Sequence, residues 1–176
     1  MKKIVILFIL SFSFSFGQNI VSEKIAEIDS LCSSINKLKK SEYKTLQSSG
    51  VIKKKKFIFF NKTVGGFNQD VTYINNKILK ITYVEFLKDK VKNERFYFSD
   101  NKLVKYEIRT FDKTEIEKSE INSNAYFENE KLIKFWSDKE TEYNALKIFE
   151  QSKELNSNYL EFINLNLNRD NNTQLP

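Results

Sequence analysis

Apolar residues recur along the chain with four different spacings, and each spacing predicts a different element. Met1-Lys2-Lys3 is followed by an unbroken run, Ile4 to Leu10, and then by Ser/Phe alternation up to Gly17. Two lysines, a short apolar stretch and the small residues Ser15 and Gly17 are the three parts of a cleavable secretory signal peptide. The run is too short for a membrane span, which needs about 20 apolar residues. From residue 20 to 46 the spacing changes to four and three: Val21, Ile25, Ile28, Cys32 and Ile35 draw one stripe, with Leu31 and Leu38 beside it. That spacing predicts an amphipathic helix. Glu23 and Glu27 come early and Lys37, Lys39 and Lys40 late, the order that the helix dipole favours. Ser48-Ser49-Gly50 is its expected stop.

Between Ile52 and Ser137 the apolar runs become short, rich in aromatic and β-branched residues, and punctuated by Asn and Asp, which predicts strands. Three stretches within this region repeat one another. They are Tyr73-Ile74-Asn75-Asn76-Lys77-Ile78-Leu79-Lys80-Ile81, Phe98-Ser99-Asp100-Asn101-Lys102-Leu103-Val104-Lys105-Tyr106 and Phe127-Glu128-Asn129-Glu130-Lys131-Leu132-Ile133-Lys134-Phe135. Their lysines after the turn, Lys77, Lys102 and Lys131, are 25 and 29 residues apart, the length of one hairpin with its connection. Asn75-Asn76 and Asp100-Asn101 suit two-residue turns because Asn and Asp tolerate positive φ. Glu130 does not, so a looser third turn is expected. Two-residue turns set Tyr73 opposite Ile78, Phe98 opposite Leu103 and Phe127 opposite Leu132. Strict alternation then sets Thr72 opposite Leu79, Tyr97 opposite Val104 and Tyr126 opposite Ile133.

The same alternation assigns the faces. Leu79/Ile81, Val104/Tyr106 and Ile133/Phe135 form the expected core side, and Lys80, Lys105 and Lys134 the wetter one. Ile78, Leu103 and Leu132 fall on the lysine side with their aromatic partners, where either a helix covers that end of the face, the favoured arrangement, or an aliphatic-aromatic patch is left exposed. A contact face for a partner would then comprise Lys80, Lys105, Lys134, Phe98, Leu103, Phe127 and Leu132, with the lysines in a row about 10 Å apart. A last helix is expected from about Glu140 to Leu155, interrupted by Asn156-Ser157-Asn158. Residues 159–167 fit either a resumed helix or a short strand, and 168–176 read as a polar, disordered tail.

The fold class is therefore α+β: an N-terminal helix, an antiparallel meander of about six or seven strands made of hairpin repeats, and a C-terminal helix. Residues 1–17 are the expected signal peptide and 18–167 a single domain. The repeat unit, aromatic-aromatic-x-Asn/Asp-x-Lys-Leu-aliphatic-Lys-aromatic, closing with Trp136 and followed by an amphipathic helix, resembles a group of exported bacterial proteins of unknown function. Where that group carries Gly in its turn, this chain has Asn76, Asn101 and Glu130. The unit is also loosely similar to MORN-type hairpin arrays, without their glycines and regular period. The resemblance spans residues 71 to about 155 and implies export and a hairpin sheet, but no activity.

Composition narrows the chemistry. The chain has no histidine and one cysteine, so His-dependent nucleophiles, thiolate metal sites and an intramolecular disulfide are all excluded. Cys32 lies too far downstream for a lipid anchor and reads as a small buried hydrophobe. Formal charge is +6, falling to +4 once Lys2 and Lys3 are removed. For an exported protein that implies solubility or anionic surfaces, and no nucleic-acid partner. Glu115, Glu117 and Glu120, and Asp138, Glu140 and Glu142, are interleaved with lysines and read as solvated faces. Gly65-Gly66 reads as a turn or bulge. Lys53-Lys54-Lys55-Lys56 before Phe57-Ile58-Phe59-Phe60 reads first as charge that keeps an aggregation-prone strand soluble, and second as a patch for anionic headgroups or an acidic partner.

The functional expectation is a non-catalytic binding or accessory protein of the cell envelope, periplasmic or secreted. It needs no cofactor and has no transmembrane segment after cleavage, and its partner is a protein or an envelope component. The alternative is a carrier holding a small apolar ligand in a curved sheet. A core filled by side chains favours the first, and an apolar cavity between sheet and helix the second.

Overall fold

The computed structural model describes residues 2–57, 60–113, 119–138 and 144–172. The elements run α1 (Lys2–Lys37), β1 (Lys44–Phe57), β2 (Phe60–Ile74), β3 (Lys77–Leu87), β4 (Lys90–Ser99), β5 (Lys102–Asp112), β6 (Ser119–Glu128), β7 (Lys131–Ser137) and α2 (Ala145–Asn172). They form two compact units, residues 1–37 and 38–176. The first is α1 alone, which carries the stripe residues Ile28, Cys32 and Ile35 at helical spacing. The helix stops at Lys37, nine residues before the end that periodicity predicts. A turn follows, in which the Glu42 amide donates to the Lys39 carbonyl at 2.9 Å and the Lys39 amide to the Glu42 carboxylate at 2.6 Å. Residues from Lys44 onward join the sheet, because pairing with β2 gives their backbone groups ladder partners and sets Leu46 opposite Val71. Ser48-Ser49-Gly50 therefore lies in mid-strand. Gly50 lets the Phe67 ring lie close against the backbone there, since a Cβ would sit 2.7 Å from the ring and push it aside.

The second unit is α+β. Its seven antiparallel strands pair in sequence order, each with its chain neighbours. The three repeats form hairpins with two-residue turns, and Tyr73↔Ile78, Phe98↔Leu103 and Phe127↔Leu132 are opposite one another as expected. The third turn is as tight as the others. Asn129 and Glu130 adopt φ of 48° and 66°, close to the 48° and 62° of Asp100 and Asn101.

One residue beyond these pairs the expected register fails, in the same way three times. Thr72 is opposite Lys80, Tyr97 opposite Lys105 and Tyr126 opposite Lys134. Leu79, Val104 and Ile133 are each an extra residue, a β-bulge recurring at one position of the repeat. A bulge sets two residues against one and so resets the alternation behind it. Ile78 then shares a face with Ile81 instead of Lys80, and Leu103 shares one with Tyr106.

That face is the core. Val71, Ile78, Ile81, Phe96, Phe98, Leu103, Tyr106, Ala125 and Phe127 cluster with Ile163 of α2. The helix begins where Asn144 caps it, its Oδ1 accepting from the Lys147 amide at 2.9 Å. It runs without a break through Asn156-Ser157-Asn158 to Asn172. Tyr159, Leu160 and Ile163 are thus helical, and helix replaces the first part of the tail expected from Asn168. α2 meets all three repeat turns in reverse chain order. Lys153 Nζ lies 3.9 Å from Glu130, Asn156 Nδ2 donates to the Asn101 carbonyl at 2.7 Å, and Asn76 Nδ2 donates to Asn164 Oδ1 at 2.9 Å.

Candidate contact surface

The residues expected to form one contact face are divided between two. Lys80, Lys105 and Lys134 do stand in one row across the sheet, with Tyr97 and Tyr126 opposite them on the strands between. Phe98, Leu103 and Phe127 are on the other face, 1%, 4% and 2% exposed, inside the core under α2. Phe127 stacks on Phe149 of the helix with ring centroids 6.3 Å apart. The bulges separate the two groups, so these three apolar residues contribute packing and no contact surface. Leu132 lies on the core face but at the sheet edge, and is 42% exposed.

The lysines differ among themselves. Lys105 is 8% exposed. Its Nζ lies 2.8 Å from Glu107 Oε1 and 5.1 Å from the centroid of the Tyr126 ring. The Tyr97 hydroxyl donates to Glu107 Oε2 at 3.4 Å, and Arg95 lies 3.7 Å from the same oxygen. Glu107 is thus the hub of a polar network on this face, joining strands β4 and β5. Lys80 is partly buried, and desolvation first, then the charge of Arg95, lower its pKa from the ordinary lysine value. Lys134, on the edge strand β7, is exposed.

The α2 side of the sheet holds a second polar group. Glu94 is buried, with Lys92 Nζ at 2.9 Å and the Tyr106 hydroxyl donating to its carboxylate. The Tyr83 hydroxyl donates to Glu85 at 3.1 Å, and its pKa is pushed up to about 12, by burial first and then by the Glu85 and Glu94 charges. Among the described residues no three His, Cys, Asp or Glu side chains are placed to hold a metal ion. The carboxylates Glu115, Glu117, Glu140 and Glu142 lie outside the described residues.

Sequence reading missed the Glu107 network, although a signal was present. Large apolar residues recur at a spacing of three in each repeat: Ile78 and Ile81, Leu103 and Tyr106, Leu132 and Phe135. A flat strand places positions three apart on opposite faces, so a thrice-repeated spacing of three marks a bulge. Lys105 and Glu107, two apart, share a face in either register, and the bulge brings Arg95 opposite Glu107.

β7 carries the exposed remainder. It is short, among the described residues pairs only with β6, and presents Leu132, Lys134 and Trp136, the last 48% exposed. Compared with models of protein families, with curated proteins and with solved structures, the chain matches none. Among the described residues, no helix is long and apolar enough to cross a membrane, which says nothing about spanning by strands.

Proposed function

We propose that this chain is an exported, non-catalytic binding or accessory protein of the cell envelope, and that the β7 edge is where its partner contacts it. The observation that carries this reading is the exposed Trp136 on the same face of an edge strand as the exposed Lys134, with the exposed Leu132 on the strand's other face. Aromatic residues next to a cation are the usual anchors of a contact surface, and an edge strand offers backbone donors and acceptors as well. The side-chain-filled cluster between sheet and α2 favours a binding role over a carrier role, since Val71, Ile78, Ile81 and Phe96 leave none of their surface exposed. Of the seven contact residues expected from sequence, Lys134 and Leu132 are retained, with Trp136 added. The signal-peptide pattern and the resemblance to exported hairpin-repeat proteins support the localisation.

The test is crosslinking of the wild type and of a Lys134→Glu/Trp136→Ser variant in the envelope fraction, with mass spectrometry of the adducts. The wild type should yield one dominant adduct that the folded variant loses. An adduct equally strong in both would move the contact away from β7. A co-purifying apolar small molecule would replace this reading with the carrier one.

A further inference from the structure

The β1–β2 hairpin is longer than the sheet it belongs to. β3 pairs with β2 only as far as Gly65↔Leu87, whereas β1 and β2 go on pairing through Lys53↔Thr63, Lys54↔Lys62 and Lys55↔Asn61 to Phe57↔Phe60. At about 3.3 Å per residue the last pair lies about 16 Å beyond Gly65. The departure point is built for the purpose. Val64 is an extra residue between the pairs Ile52↔Gly65 and Lys53↔Thr63, a bulge that redirects the strand. At Gly65, a Cβ would lie 2.3 Å from the Phe86 carbonyl oxygen.

The composition of this arm sets it apart. Residues 51–69 contain Lys53, Lys54, Lys55, Lys56 and Lys62 and no Asp or Glu, so they hold five net positive charges against six for the whole chain. Lys53, Lys54 and Lys62 are exposed. Lys54 and Lys62 are directly opposite each other, and like charges so placed destabilise a hairpin. Keeping a strand soluble would need no such pair, because one of the two lysines or a polar neutral residue would serve. The far end is the pair Phe57↔Phe60, at the two ends of four consecutive apolar residues in the sequence.

We infer that the β1–β2 arm is a docking element for an anionic lipid surface, separate from the β7 edge and independent of what binds there. Phenylalanines at the end of the ribbon enter the boundary between headgroups and acyl chains, as the apolar faces of interfacial segments do. The exposed Lys53, Lys54 and Lys62 stand between that end and the sheet, where lipid phosphates would meet them. Each lysine near an anionic surface is worth about a fivefold gain in affinity, and the gain fades with salt. An acidic protein surface would satisfy the lysines but leave the apolar end without a place to go.

Co-flotation with vesicles tests this, using full chains so that every variant shares the same N-terminal segment. Wild type should bind phosphatidylcholine vesicles containing a third phosphatidylglycerol far more tightly than pure phosphatidylcholine, and high salt should erase the difference. The Lys53→Gln/Lys54→Gln/Lys62→Gln variant should lose about a hundredfold on the anionic vesicles. Phe57→Ser/Phe60→Ser should lose affinity while keeping its salt dependence. A Phe60→Trp probe in a Trp136→Phe background should be quenched by brominated acyl chains, which reports on the arm even if another variant folds poorly. Equal binding to both vesicle types, an unaffected lysine variant or an unquenched probe would overturn the inference. Binding to an acidic protein without any to vesicles would do the same.

Discussion

The β1–β2 hairpin and the three repeat hairpins are antiparallel ribbons in one sheet, yet they use their apolar residues in opposite ways. In the repeats, each aromatic before the turn faces an aliphatic residue after it, and these pairs lie on the side where α2 packs. Their turns are tied to the helix by Glu130, Asn101 and Asn76. In the far part of the β1–β2 hairpin, beyond the end of β3, the order is reversed: the apolar residues come last, at Phe57↔Phe60, and the lysines stand between them and the sheet. Position relative to α2 accounts for the difference. A hairpin under a helix gains from apolar residues at its turn, whereas one that outruns its neighbours needs charge to stay in water, or a surface to meet.

The largest effect that separates the two regions should come from truncating an aromatic in each. Phe98→Ala, in the core, should lower the free energy of unfolding by about 3–5 kcal/mol. Phe57→Ser with Phe60→Ser should change it by under about 0.5 kcal/mol. Urea denaturation followed by circular dichroism measures both, and comparable losses would mean that the arm belongs to the cooperative core. The next contrast lies within the lysine row. Lys105→Glu places a second carboxylate beside Glu107 in a buried setting and should cost about 3 kcal/mol, while Lys134→Glu at the edge should stay within about 0.5 kcal/mol. The same denaturation series reads this pair, and a harmless Lys105→Glu would show that the Glu107 network contributes no stability. The smallest effect should be a gain. Glu130 is held at φ 66°, a conformation that costs an ordinary residue about 1 kcal/mol relative to glycine. Its partner Lys153 is half exposed and 3.9 Å away, too weak a pair to offset that. Glu130→Gly should therefore raise the melting temperature, whereas Asn101→Gly should lower it, because Asn101 Oδ1 accepts from the Ile78 amide at 3.1 Å and the glycine would leave that buried donor without a partner. A lower melting temperature for Glu130→Gly would assign the third turn's stability to the Lys153 contact.

How far the chain could be read in advance depended on the range of the interaction concerned. The repeat turns were legible because Asn75, Asp100 and Asn129 act on their own backbone, and two-residue turns leave little choice of first pairs. The row of Lys80, Lys105 and Lys134 was legible too, since copies of one motif in a meander must align. The partners of that row were not. Phe98, Leu103 and Phe127 were expected beside the lysines, and three bulges moved them to the opposite side. Of the contact surface proposed for the β7 edge, Lys134 and Leu132 were accordingly the part legible in advance.

The amino-acid sequence by itself determined the hairpins, their turns, the meander order and the α+β class, because turn chemistry and apolar spacing act within a few residues. Tertiary structure decided which face became the core, where the first helix stopped and whether the last helix ran unbroken. Each of those outcomes compares a local preference with burial against a distant segment. Leu46 left a helical pattern to lie opposite Val71, and Asn156 stayed helical where it reaches the Asn101 carbonyl. The bulges at Leu79, Val104 and Ile133 turned Ile78 and Leu103 toward α2, since burying those side chains under the helix outweighs the ladder bonds that a bulge disrupts.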